Sequence, residues 1–422
     1  MDELTTWMRD RSPARFPFEA VHEAFQRAGK HFVAKRLLVV LDQARRELGP
    51  SPDTPAGRRL HGYLDCLLDK HDGRYDYRTY LALAMLPLPV PLDAACTPAT
   101  ALRAHDRLSV NLLADLLRFE VAAAAGTTDL LPRRRPDRKT TSKRLRLALR
   151  AVKPAARRTG MATSVNASDL TEAARQLWTV ANASMLVDER FAVRLSMLPV
   201  ATVHDEYLFL RVLQLWENRF ALLATHLRAV ADAWRGGDPH AAAGQLTSAA
   251  ASLEEAAPLF SLLATMQVDA FREFRTWTEG ASAIQSRSYK LVEALCRRPD
   301  PDRLDSPAYR SVPDLRDAVL TGIPSISDVY RQACEQGRLD PRSRGQFERA
   351  MRRFAAALVH WRQTHHRLAV RMLGDRPGTG YTEGVPYLRQ VRRIRVFDSG
   401  SAPNLADIVN QPGAASHLPA VR

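Results

Sequence analysis

The run HWRQTHHRLAVRMLGDRPGTG, residues 360 to 380, sets paired histidines ahead of a glycine-rich loop. Leu358, Trp361, His365, Leu368 and Met372 recur at spacings of three and four, so His365 belongs to the apolar stripe of a helix. His366 lies about 100° round the same helix, beside Arg362 and Arg367, and is expected at a flank or in solvent. A buried imidazole must be hydrogen-bonded or coordinate something, because an unsatisfied polar group in apolar surroundings costs on the order of 1–3 kcal/mol. A satisfied core histidine is the commoner answer to that demand, and a metal ligand the rarer one. If His365 is a ligand, the cofactor is haem: zinc and non-haem iron need three or more protein donors, whereas one axial histidine in an apolar slot holds haem.

Two further segments could carry chemistry. The loop GDRPGTGYTEG (374 to 384) lacks the phosphate-loop pattern, and its glycines would let backbone and the Thr379 hydroxyl approach a small ligand closely. A plain helix cap and turn fits the same spacing. In LLATMQVDAFREFRTWTEGASAIQS, Phe271 and Arg275 stand one helical turn apart, which aims a guanidinium along an apolar face. Such an arginine suits a carboxylate, either as a structural ion pair, the commoner use, or as a substrate clamp.

The elements that must position these residues read as helices. Leucine, alanine, arginine and glutamate dominate the 422 residues, and no sustained alternation of β-branched residues occurs, so the fold class is all-α. Breaks are expected at 49–55, 86–98 and 125–132. Ser168 offers an N-cap for SDLTEAARQLW, and residues 204 to 234 form the longest helix, with Phe209, Leu213, Trp216, Phe220, Leu223, Leu227, Val230 and Trp234 in one apolar stripe. That helix belongs in the middle of a bundle. A faint internal echo pairs residues 75–119 with 189–220, each a short helix ending in Leu-Pro followed by a helix opening on His-Asp.

The net charge of +15 suggests nucleic acid until it is located. Between Pro132 and Gly160 there are twelve Lys/Arg against one Asp, a net +11 that leaves +4 for the rest of the chain. This segment reads as a solvated linker, partly helical at SKRLRLALRAV, with a nucleic-acid or acidic-partner patch as the alternative; no interleaved aromatics support base stacking. Four cysteines without C-x-x-C pairing point to neither a disulfide framework nor a cysteine metal site. The first residues, MDELTTWMRDRSPARF, lack a leader-like apolar region and no run is long enough to span a membrane, so a cytoplasmic protein is expected.

Three ordered motifs together resemble the tryptophan 2,3-dioxygenase family, within the haem-dependent aromatic oxygenases. The family patterns HDE-x-LF, F-R-x-x-L followed by S-x-A-S-x-x-Q-S, and W-R-x-x-H-x(5)-R-M-x-G leading to G-T-G appear here as HDEYLF (204–209), FRTWTEGASAIQS (274–286), and WRQTHHRLAVRMLG with GTG (361–380). The resemblance spans residues 190 to 395, roughly half the chain. It implies a helical bundle enclosing haem b at 163–397, preceded by an N-terminal helical region (1–131) and the basic linker (132–162), and followed by a tail (398–422).

Carried over residue by residue, the resemblance makes His365 the axial haem ligand, Arg275 the partner of a substrate carboxylate, Thr379 the partner of its ammonium and Phe209 a wall of the indole pocket. Ser282 and Ala283 fall on the oxygen side. The family's Y-x-x-Y-L segment, which closes the pocket from a neighbouring subunit, appears here as Tyr77, Tyr80 and Leu81, upstream of the basic segment. A pocket-closing role for it is expected in cis or between subunits. The implied activity is oxygenation of tryptophan, or a related aromatic amino acid, by dioxygen to N-formylkynurenine, in a homo-oligomer without membrane or nucleic-acid partners. Departures bear on the outcome. The family's second histidine is Leu213 here, and the loop carries Tyr381 and Glu383 where the family has small residues. They leave open a haem monooxygenase or indole-rearranging enzyme of natural-product biosynthesis, and a haem-binding protein without turnover.

Overall fold

Proline and short polar side chains set the helix starts. Pro98 and Pro341 open two long helices, Pro98–Ala124 and Pro341–Leu373, behind Thr97, whose hydroxyl accepts from Thr100 N at 3.3 Å, and Asp340, whose carboxylate accepts from the Arg342 and Ser343 amides at 2.9 and 3.0 Å. The structure is a computed structural model and describes residues 2–49, 54–93, 95–161, 169–337, 339–374 and 384–398. Within these the chain is all-α, and extended pairing is confined to one parallel bridge between Arg133 and Val203. No described helix is long and apolar enough to cross a membrane. The expected breaks fall where helices end at Leu48, 3₁₀ turns at Met85 and a helix again at Ala124. Ser168 lies outside the described residues; Asp169 caps Leu170–Ser184 instead, accepting from Thr171 N at 2.8 Å.

The central element is the helix His204–Arg235, packed on Pro98–Ala124, Pro239–Glu255 and Arg287–Cys296; at 32 residues it is, contrary to expectation, not the longest, because Pro341–Leu373 runs to 33. Its first amide is satisfied across the fold, donating from His204 N to the Arg133 carbonyl at 2.8 Å. The apolar stripe faces inward as expected, but the polar face is buried too. Arg211 donates to Asp115 at 2.6 Å, Asn218 to the His105 carbonyl at 2.9 Å, and Gln214 to the carbonyls of Leu81 and Ser196 at 2.9 Å. A charge buried in such a helix must be paired, as Arg211 is with Asp115, and the neutral amides of Asn218 and Gln214 find backbone acceptors.

The basic segment differs from a solvated linker. Arg138–Arg158 is a continuous helix with Thr141, Arg144, Leu145, Ala148, Val152, Ala155 and Ala156 buried, packed on Pro98–Ala124, Leu170–Ser184 and Ala257–Leu263. Arg144 bridges Glu120 at 3.0 Å and Asp205 at 2.7 Å, so a residue of the segment expected to be solvated joins two core helices. Its neighbour Arg158 pairs with Asp106 at 2.7 Å. The two His-Asp pairs of the internal echo therefore both direct their aspartates to this helix. The upstream copy, however, does not open its helix: Pro98 precedes His105 by two turns.

Apolar packing forms two clusters, which part near residue 70. Side chains from Leu4 to Leu68 form a satellite cluster with Ala82, Met85, Leu195 and Leu198, while residues from Tyr77 onward share the main core. Lys30 ties the two together. Its buried ammonium donates to Asp69 at 2.7 Å, to the Cys66 carbonyl at 2.9 Å and to the Thr79 carbonyl at 3.3 Å. Gly29 makes this crossing feasible: at φ 80° a side chain would be strained, and a Cβ there would lie 2.8 Å from the Ala201 Cα.

Candidate functional site

Along the central helix from Val203 to Leu227, every side chain is buried except Phe209 and Leu213. These two are one turn apart, and their accessible faces line an internal cavity of about 220 Å³. Trp361, His365, Leu368 and Met372 of Pro341–Leu373 contribute a second wall, in the order their spacing predicted. The helix Val268–Arg275 brings Phe271 and Arg275, one turn apart, to the same space. Ser282 and Ala283 reach it from the corner that follows, where Gln285 Oε1 accepts from Ser282 N at 3.1 Å and from Tyr77 N at 2.9 Å. That shared acceptor fixes the short helix Tyr77–Tyr80 against the corner, so Tyr77 and Tyr80 of the same chain line the cavity.

Leu81 does not line the cavity. It is buried, and its carbonyl accepts from Gln214, which anchors the tyrosine turn to the central helix. Thr379, Tyr381 and Glu383 lie outside the described residues. His366 is partly buried at a flank, its basicity lowered by burial and by Arg392, Arg389 and Arg367.

The ring of His365 rests on Trp361 at 5.2 Å between centroids, and no described residue hydrogen-bonds it. Burial, aided by the neighbouring His366, pushes its pKa down to about 4, so the imidazole is neutral near pH 7 and keeps a free lone pair. The walls are mostly aromatic and aliphatic, and the described residues contain no cluster of three or more His, Cys, Asp or Glu suited to a bare metal ion. A metal carried in an organic macrocycle needs only the one imidazole. Three donors on the cavity wall also lack acceptors among the described residues: Trp216 Nε1, Trp361 Nε1 and Arg392 Nε. An apolar slot with a neutral histidine and orphaned donors at its margin fits haem, whose carboxylates are acceptors.

Several groups at the site escaped the sequence reading. Arg303 pairs with Glu293 at 2.7 Å and donates to Tyr387 at 2.9 Å; Arg362, fully enclosed, donates to the Tyr289 hydroxyl at 2.8 Å and the Ile394 carbonyl at 2.6 Å. Lys290 donates to the Ile284 carbonyl, and burial pushes its pKa down to about 7. Glu217, raised by burial, rests against the hydroxyls of Ser286, Ser288 and Tyr77. Lys290 and Glu293 stand three apart in YKLVEAL, a spacing that marks one helix face, but nothing in the sequence shows that this face is inside. The acids of HDEYLF serve the frame: Glu206 accepts from the Val200 and Ala201 amides at 2.7 and 3.0 Å and from the Tyr80 hydroxyl at 3.3 Å, while burial raises its pKa to about 8.

No family model matches the chain. It is 29% identical over 226 residues to a protein named tryptophan 2,3-dioxygenase from Anaeromyxobacter dehalogenans, an overlap of 45% of this chain and 83% of that one. Proteins of the same name from Nocardioides sp. (29% over 222 residues; 46% and 82%) and Ruegeria pomeroyi (26% over 232 residues; 47% and 84%) are also similar. The chain is a distant homologue of these dioxygenases. The matched portion amounts to under half of this chain but most of each relative, so a large part of the sequence has no counterpart in them.

Proposed function

We propose that the chain is a haem-dependent oxygenase acting on tryptophan or a related aromatic amino acid. The observation that carries this is the convergence of a neutral, unpartnered His365, the guanidinium-bearing Arg275 and an aromatic wall on one cavity, in a homologue of proteins named tryptophan 2,3-dioxygenase. In this reading His365 holds the haem iron, and Trp361, Trp216 and Arg392 offer their spare donors to its carboxylates. Haem, when bound, supplies the means of activating dioxygen.

The remaining work falls to the chain. Arg275 binds the substrate carboxylate and fixes its orientation, since a guanidinium clamps a planar carboxylate at two points. Thr379 takes the ammonium. Phe209, Phe271 and Leu213 enclose the ring, and Tyr77 and Tyr80 exclude water. Leucine at position 213 cannot accept or donate a proton, so no side chain at that position assists the indole N–H. That substitution favours an outcome shifted from the relatives', with a single oxygen atom inserted as the second reading.

The test is turnover of the haem-loaded, reduced protein with tryptophan and with tyrosine in air, followed by mass analysis. A gain of about 32 mass units marks dioxygenation to N-formylkynurenine, and about 16 marks insertion of one atom, by the stoichiometry of oxygen transfer. Absence of any oxygenated product while haem is bound contradicts the oxygenase reading and leaves a haem-binding protein.

A further inference from the structure

The helix Arg138–Arg158 has two faces of opposite electrostatic character. Inward, Arg144 pairs with Glu120 and Asp205, and toward one edge Arg158 pairs with Asp106 and Glu255. Outward, Lys139, Lys143, Arg146, Arg150, Lys153 and Arg157 follow one another at spacings of four, three, four, three and four. That rhythm keeps all six on one line, spanning about 27 Å at 1.5 Å per residue. Every one of them is exposed, and none forms an ion pair or a side-chain hydrogen bond with another described residue. Cations three and four apart on a helix repel one another, so the row works against the helix that carries it.

The arginines next to this helix in sequence are held differently. Just upstream, Arg133 and Arg134 both pair with Glu273, and Arg135 donates to the Ala123 and Thr128 carbonyls. On this helix six exposed cations without a partner among the described residues follow one another in a single row, on a face that contributes no side chain to the cavity.

We propose that this row docks an acidic partner protein through a helix bearing carboxylates at the same three-and-four spacing. Two helices laid side by side repeat their side chains in a common rhythm of about 5.4 Å, so such a partner can meet the cations one by one. A nucleic acid suits the surface less well. The helix has no aromatic residue on which bases could stack. The upstream arginines that would widen the footprint toward both strands of a duplex, across a groove of about 12 Å, are tied to Glu273.

The experiment uses the full chain and three probes in fluorescence anisotropy at low and moderate salt: an alanine-rich helical peptide with six glutamates along one face, a peptide of the same composition with the glutamates dispersed round the helix, and a short DNA duplex. The expected result is binding of the one-face peptide about tenfold tighter than of the dispersed one, weakening as salt rises. The quadruple variant Lys143→Glu, Arg146→Glu, Arg150→Glu and Lys153→Glu should lose that binding by about tenfold or more. A glutamine version at the same four positions keeps the comparison readable if charge reversal loosens the helix, and circular dichroism reports which has happened. Equal binding of both peptides, binding of neither, or tighter binding of the duplex would overturn the proposal.

Discussion

At the scale of single residues, the decisive property of His365 is that it stands partly buried on the cavity wall with no hydrogen-bond partner among the described residues. Because its pKa is pushed down from 6.5 to about 4, the ring is neutral throughout the range in which the protein would work. Haem ligation through it is therefore expected to hold from pH 8 down to pH 5, because iron has no proton to displace in that range; an optical spectrum that loses the ligated form already above pH 6 would contradict this. In the haem-free protein the same depression favours the unfolded chain, which takes up the proton first as pH falls below 6.5. If Arg275 clamps the substrate carboxylate as proposed, Arg275→Leu removes a charge-assisted contact worth about 1.5–3 kcal/mol, and tryptophan binding should weaken about 10- to 150-fold in a spectral titration, with haem binding unchanged. The difference between His365 and His366 is legible in the sequence because helical spacing alone separates them. The orphaned donors of Trp216, Trp361 and Arg392 are not, since a missing acceptor leaves no trace in the residues themselves.

At the scale of elements, helix boundaries are legible wherever proline, aspartate or threonine sets them, as at Thr97, Asp137 and Asp340. The basic helix misleads because its positive charge outweighs a clear 3.6-residue apolar period at Thr141, Leu145, Ala148, Val152 and Ala155. Burial of Arg144 also depends on Glu120 and Asp205, which come from helices distant in sequence. Its removal leaves two buried carboxylates without their cation. Arg144→Leu is accordingly expected to destabilise the fold by about 3–5 kcal/mol in denaturant unfolding, whereas Lys143→Leu, one residue away and exposed, should stay within about 0.5 kcal/mol. Comparable losses in the two variants would mean that the helix is not packed as described.

At the scale of the molecule, the N-terminal block and the main core act together on one site. Lys30 holds Asp69 and the Thr79 carbonyl, and the short helix that follows delivers Tyr77 and Tyr80 to the cavity of the same chain. If the proposed pocket-closing role of Tyr77 and Tyr80 holds, it is exercised within one chain. Substrate affinity should be independent of protein concentration across the range in which any oligomer dissociates, measured by titration at several protein concentrations; affinity that collapses on dilution would show that a neighbouring chain completes the pocket. The sequence carries the YRTYL pattern but not this connection, because the buried lysine that secures it sits 47 residues upstream in a segment with no motif of its own. The most direct test of the whole account is an optical titration of the protein with haem, in wild type and in His365→Ala. The account predicts a stoichiometric Soret band in the wild type that is lost or strongly altered in the variant and shifts when tryptophan is added. An identical spectrum in both proteins, or no band in either, would contradict it.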